Sequence, residues 1–159
     1  MTRIVVLDTS FLLPFLGVKV RGVDDRVLRK IEEIATRRGK LQLCYHELML
    51  PELIAKAFST SLRKGLETVP EKAIEGFLSV SSGMFIEVLA TTREDLEIAY
   101  TLRMAGHGDF FDCIAYAAAK SRRGRLLTLD TELRKSVERA KLDVHVFMDQ
   151  REFLALCLD

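Results

Sequence analysis

The stretch Ile4-Val5-Val6-Leu7-Asp8-Thr9-Ser10 decides how the rest of the chain is read. Four apolar residues, three of them β-branched, run without polar alternation, which describes a strand buried on both faces in a parallel sheet. The first strand is therefore predicted over residues 3–8, with Asp8 at its C-terminal tip. Leu126-Leu127-Thr128-Leu129 ends in the same way, on Asp130. A buried strand tip is a costly place for an unpaired charge. It is also where ligands bind in open α/β sheets, in the crevice beyond the carboxyl ends of the strands. Carboxylates gathered there repel one another and titrate upwards unless a cation neutralises them, and a divalent metal is the simplest such cation.

Outward from this stretch, strand-like and helix-like segments alternate. Ser10 is predicted to cap a helical turn through Phe11 to Leu16, with Pro14 near its start. Residues 24–38 place Val27, Leu28, Ile31, Ile34 and Ala35 at helical spacing. Asp24 and Asp25 stand at the front of that helix, Arg37 and Arg38 at the back, and Gly39 just beyond. Further strands are predicted over 41–45, 84–89, 125–129 and 143–147. Helices are predicted over 47–64 (with Pro51 in the first turn or a break there), 70–81, 93–105, 109–121, 131–140 and 149–158. The 109–121 helix is unusually small and apolar, a composition that lets it sit close against a sheet. This order implies an α/β fold, a three-layer α/β/α sandwich around a parallel five-stranded sheet with right-handed crossovers. Residues 1–159 read as a single domain, undivided by repeat, linker or low-complexity tract.

Composition excludes little. Lys and Arg number 24 against 23 acids, so a nucleic-acid surface, if present, must come from uneven distribution of charge. Cys44, Cys113 and Cys157 are far apart among apolar neighbours, which suits reduced core thiols and rules out a zinc ribbon built from them. Asp8 interrupts the first apolar run, leaving neither a signal-peptide core nor a membrane span, and a soluble, cytoplasmic protein is expected.

With the first and fourth strands adjacent, Asp8 and Asp130 are predicted to point into one cleft. Asp109 and Asp112 lie on one face of the 109–121 helix and can both look into that cleft from its first turn. Glu52 sits one turn into an apolar helix after the second strand; Glu47, beside His46, competes with it. Oxygen ligands without clustered His or Cys suit Mg²⁺ or Mn²⁺ better than Zn²⁺. Such ions lower the pKa of a bound water and stabilise a leaving oxygen, so the implied chemistry is metal-assisted hydrolysis of a phosphodiester. His46, His107 and His145 have no metal-site spacing and read as surface or loop residues outside the site. Lys120, Arg122, Arg123 and Arg125 form a basic cluster. Such a cluster is first of all a solvated face, and its functional alternative is contact with the RNA backbone.

Four motifs in order resemble those of the PIN-domain ribonucleases, which include the toxins of VapBC systems and RNA-processing nucleases. They are Val5-Val6-Leu7-Asp8-Thr9-Ser10, Leu50-Pro51-Glu52-Leu53, Asp112-Cys113-Ile114-Ala115-Tyr116-Ala117 and Leu127-Thr128-Leu129-Asp130. The resemblance covers nearly the whole chain. It implies that Asp8, Glu52, Asp112 and Asp130 bind one or two Mg²⁺ or Mn²⁺ ions in an endoribonuclease, with Thr9 or Ser10 assisting through a water or phosphate. Asp109 is open between ligand, second-sphere acceptor and helix cap. The resemblance further implies an RNA substrate, a homodimer and, for toxin members, an antitoxin partner in the cleft.

Three rival readings stand beside this one. A haloacid-dehalogenase-type phosphatase also uses an Asp at the end of its first strand, but wants a second Asp where this chain has Ser10. A phospho-acceptor receiver domain wants an acidic pair at the first strand and a Lys after the last, and Phe147-Met148-Asp149 supplies none. A PIN-like binding or scaffold protein, with metal but little turnover, matches the same residues.

Overall fold

The computed structural model describes residues 3–37 and 39–158; Arg38, predicted in the last turn of the second helix, lies outside them. The strands are β1 (Arg3–Leu7), β2 (Leu41–His46), β3 (Glu87–Leu89), β4 (Arg125–Leu127) and β5 (Phe147–Met148). All neighbours pair in parallel, in the order β3-β2-β1-β4-β5. The α/β architecture and five-stranded parallel sheet expected from the sequence are thus present. β1, the most apolar of them, is the central strand, with Val5, Val6 and Leu7 excluded from solvent. Its C-terminal end lies between those of β2 and β4, so the acids that follow these strands share one edge of the sheet.

The helices are α1 (Thr9–Leu12), α2 (Asp25–Thr36), α3 (Leu50–Arg63), α4 (Glu71–Ser81), α5 (Arg93–Met104), α6 (Phe110–Ser121), α7 (Thr131–Arg139) and α8 (Gln150–Leu156). Side-chain caps set most of their starts. Asp24, Thr92, Asp109, Asp130 and Asp149 each accept a backbone N–H of the first turn. Each such cap contributes about 1 kcal/mol. Ser10 does not cap α1; Asp8 does, accepting the Thr9 N–H at 2.8 Å. The helix therefore begins two residues earlier than predicted and tightens into a 3₁₀ turn at Leu13–Leu16, where Pro14 occupies the first turn.

Two predicted strands are shorter in the structure because local hydrogen bonds compete with the ladder. Residues 144–146 form a 3₁₀ turn rather than a strand, opened by Asp143, whose carboxylate accepts the His145 N–H. Only Phe147 and Met148 then pair with β4. Thr128 leaves β4 early: its hydroxyl accepts the Asp130 N–H and turns the chain into α7. In β3 the sheet starts only at Glu87, after a turn at Gly83 with φ 73°. α8 ends at Leu156, short of the predicted 158.

α6 buries Cys113 through Ala119 without a break, and its small side chains lie over β1, β2 and β4. α4 approaches the 3₁₀ turn so closely that a Cβ on Gly76 would stand 2.4 Å from the Phe15 carbonyl oxygen. Below the ends of β2 and β3, a fully buried Asp95 accepts from Arg122 Nη1 at 2.8 Å and Ser121 Oγ at 2.6 Å, and faces His46 Nε2 at 3.2 Å. His46 Nδ1 accepts the Leu48 N–H, so the ring is a neutral imidazole that donates from Nε2. Burial alone would raise the Asp95 carboxyl, but the Arg122, Ser121 and Thr92 hydrogen bonds hold it well below the usual range. Cys44 and Cys113 are buried free thiols pushed up to about 12 and about 11 by desolvation, which makes them inert. Among the described residues no helix is long and apolar enough to cross a membrane.

Candidate metal centre

Asp8, Glu52, Asp112 and Asp130 come from β1, α3, α6 and β4, and each reaches the site for a local reason. Asp8 follows the central strand, and its amide is still held by the Leu127 carbonyl of β4 at 3.0 Å. Its Oδ1 takes the Thr9 N–H and its Oδ2 takes the Thr128 hydroxyl at 2.7 Å. Despite these donors the carboxyl is raised above its ordinary value, first by burial and then by the charge of Glu52. Glu52 is 8% exposed, on the inward face of the first turn of α3, with Lys56 Nζ at 3.4 Å one turn on. The same Lys56 lowers Asp8 slightly, so one ammonium faces two carboxylates.

Asp112 and Asp130 form the heart of the site. Asp130 ends the β4 segment and caps α7 through Oδ1 to the Leu133 N–H at 3.0 Å. Asp112, in the first turn of α6, stands beside it, with side-chain oxygens of the two within 4.8 Å of each other. Burial and the neighbouring carboxyls of Asp130, Asp109 and Asp8 push the Asp112 carboxyl up to about 8. Side-chain ligand atoms of Asp112, Asp130 and His107 all lie within 4.8 Å of one another. The hard oxygen set, crowded to the point of retaining a proton, is what a Mg²⁺ or Mn²⁺ ion would relieve. Asp112 and Asp130 could hold such an ion, with Asp8 adding its charge beside Asp112 and Glu52 adding its charge beside Asp8.

The other predicted positions divide. Asp109 is the N-cap of α6, its Oδ1 accepting the Phe111 and Asp112 N–H groups, and it also adds negative charge beside Asp112. Thr9 is 1% exposed and its hydroxyl is engaged with Tyr45 at 2.8 Å, which removes it from substrate contact; Ser10 is half-buried. Glu47 is turned away, accepting from the backbone and hydroxyl of Thr91. Lys120, Arg122, Arg123 and Arg125 are not brought to the acids, since they lead into the start of β4 and Asp130 follows its end. Arg122 is spent on buried Asp95 and the Ala90 carbonyl, Lys120 faces Asp143, and Arg125 donates to the Phe147 carbonyl. A cavity of about 990 Å³ at this far end is lined by Arg122, Arg123 and Arg125 and contains none of the four acids.

Two histidines expected at the surface or in loops are buried. His46 belongs to the Asp95 network, and His107 is 8% exposed with Nε2 at 2.9 Å from Asp112 Oδ2. The available signal for His107 was its place five residues before Asp112 across Gly108, a turn short enough to fold the ring back over the first turn of α6.

Comparisons with known proteins agree with the fold. The chain is similar in structure to PAE2754 from Pyrobaculum aerophilum, with a TM-score of 0.65 and 19% identity over 99% of this chain and 97% of that one. It is similar to VapBC2 from Rickettsia felis, in a structure bound to a DNA fragment from their promoter, with a TM-score of 0.57 and 12% identity over 92% of this chain and 98% of that one. VapBC-1 from nontypeable Haemophilus influenzae gives a TM-score of 0.57 and 16% identity over 92% and 97%. No curated protein matches in sequence. The family model for the PIN domain matches residues 5–138, from the second half of β1 to the last turn of α7, and with it the chain belongs to the PIN-domain family.

Proposed function

We propose that residues 1–159 act as one nuclease domain, a Mg²⁺- or Mn²⁺-dependent endoribonuclease in which Asp8, Glu52, Asp112 and Asp130 form the metal centre. One observation supports the reading: side-chain oxygens of Asp112 and Asp130 lie within 4.8 Å of each other, and the charge of Asp8 adds to theirs in pushing the Asp112 carboxyl up to about 8. A divalent ion held there supplies Lewis-acid charge and a more acidic bound water. The chain's own residues do the rest. Asp112, raised by burial and the acids around it, would give up its proton to such an ion. Asp8, held at both oxygens, keeps a fixed orientation. Lys56, half-exposed beside Glu52, is the cation placed to meet a phosphate oxygen.

A role as the toxin of a toxin–antitoxin pair is supported by the structural likeness to the two VapBC proteins. Exposed apolar residues suit the two partners this role implies. Phe58 and Leu62 on α3, with Ile74 and Leu78 on α4, offer a surface for an antitoxin segment. Leu96, Tyr100 and Met104 form an i, i+4, i+8 stripe on α5 that suits a second copy of the chain.

Asp8→Asn and Asp112→Asn variants should keep the fold and lose Mn²⁺-dependent cleavage of RNA. Several kcal/mol of transition-state stabilisation come from such an ion, so the loss should reach about a thousandfold. Undiminished cleavage by both variants rejects the nuclease reading, and metal binding without cleavage by the wild type favours a scaffold role.

A further inference from the structure

Behind Asp112 stands a line of side chains that the metal centre as described does not use. His107 Nε2 is 2.9 Å from Asp112 Oδ2, and His107 Nδ1 is 2.8 Å from Ser136 Oγ. Arg139 Nη2 stands 2.8 Å from the same Oγ. Both His107 and Ser136 are buried. The loop carrying His107 is pinned by Arg103, whose guanidinium donates to the carbonyls of His107, at 2.8 Å, and Gly108.

The direction of these bonds follows from which groups can only donate. A guanidinium has no acceptor, so Ser136 Oγ must accept from Arg139. An ionised Asp112 can only accept, so His107 must donate from Nε2, and the neutral ring then takes the Ser136 proton at Nδ1. A ring that accepts at Nδ1 carries its proton on Nε2, facing Asp112. An imidazole acting as a metal ligand through Nε2 would need the opposite tautomer, with Ser136 Oγ receiving protons from both sides.

We propose that Arg139, Ser136 and His107 form a one-way hydrogen-bond chain in which His107 is a positioning residue, donating to Asp112 Oδ2 so that the carboxylate presents its other oxygen to the metal. The inference rests on the metal-centre reading and deepens it. Asp112 is surrounded by Asp130, Asp109 and Asp8, which would otherwise turn its carboxylate away. A neutral donor fixes its orientation without adding a positive charge that would compete with the ion. Donors behind a ligating carboxylate affect affinity for any hard cation, whereas a nitrogen ligand favours Mn²⁺ over Mg²⁺.

Calorimetric titration of the full chain with Mg²⁺ and with Mn²⁺ tests this, using wild type, His107→Ala, His107→Gln and Ser136→Ala. His107→Ala should weaken both ions by a similar factor, about tenfold or more. Ser136→Ala should weaken both less. His107→Gln, whose amide N–H reaches the place of Nε2–H, should recover most of the loss. Unchanged affinities in a folded His107→Ala overturn the proposal, as does a loss for Mn²⁺ far exceeding that for Mg²⁺ without recovery by Gln. Should His107→Ala fail to fold, Ser136→Ala decides: wild-type affinity for both ions overturns the chain. A wild type that binds neither ion overturns the metal centre itself, a result distinct from a wild type that binds and variants that bind equally.

Discussion

The Thr128 hydroxyl donates to Asp8 Oδ2 at 2.7 Å while accepting the Asp130 N–H at 3.0 Å, so one side chain ties together the acids at the ends of β1 and β4. That bond opposes the upward pull of burial on Asp8. Thr128→Val removes the donor and keeps the shape. A hydrogen bond to a charged group contributes about 1.5–3 kcal/mol, so Mn²⁺ affinity at pH 7 should fall at least about tenfold. Titration with Mn²⁺ monitored by electron paramagnetic resonance checks this, and an unchanged affinity removes Thr128 from the site.

Asp112 makes metal binding depend on pH. Its carboxyl in the folded chain is raised to about 8 from an ordinary value near 3.8, so the folded state holds a proton that the unfolded state has released. For a group raised in this sense, stability from this site is greatest at low pH and declines as pH rises from about 4 through about 8. The metal reverses that loss by displacing the proton. Below pH 8, binding should release close to one proton per ion, seen as a buffer-dependent calorimetric enthalpy. Asp112→Asn should abolish the release and flatten the decline in stability between pH 5 and pH 8.

Arg122 holds the chain together rather than a substrate. Its guanidinium is the cation beside fully buried Asp95, and removing one partner of a buried ion pair typically costs about 3–5 kcal/mol. Arg122→Ala should show that loss in denaturant unfolding. Arg123→Ala, on the adjacent turn with φ 53°, should change stability little.

Gly76 tests the packing of α4 on the 3₁₀ turn. Its missing Cβ would meet backbone rather than a movable side chain, with the Phe15 oxygen at 2.4 Å. Gly76→Ala should destabilise by about 1–3 kcal/mol despite the better helix propensity of alanine. A stabilised variant would show that α4 can shift away from the turn.

Much of the candidate site was legible because its acids interrupt apolar segments. Asp8 and Asp130 follow runs that are meaningful only as buried strands, and Asp112 opens a helix too small and apolar to be a surface element. Glu52 was reached through the motif Leu50-Pro51-Glu52-Leu53, because a Glu on a helix otherwise reads as part of its solvated face. His107 was not, because a lone histidine in a Gly-flanked turn has no periodicity and its partners Ser136 and Asp112 lie on different helices. His46 likewise ends a strand like any polar residue, until Asp95 is seen beneath it, 49 positions away. The basic run at 120–125 misled for the complementary reason. Composition reports charge but not its partner, and Arg122 is consumed by Asp95. β5 was overdrawn because Val144 and Val146 suggest a strand, whereas the Asp143 side chain bends the same residues into a turn.

The most direct test of the carboxylate metal centre is the anomalous scattering of Mn²⁺ in crystals soaked with the ion. A peak bonded to Asp112 and Asp130, with Asp8 oxygen coordinating directly or through a water and His107 still hydrogen-bonded to Asp112, is the predicted result. Mn²⁺ bound away from these acids, or a well-soaked crystal with no peak among them, would contradict the account.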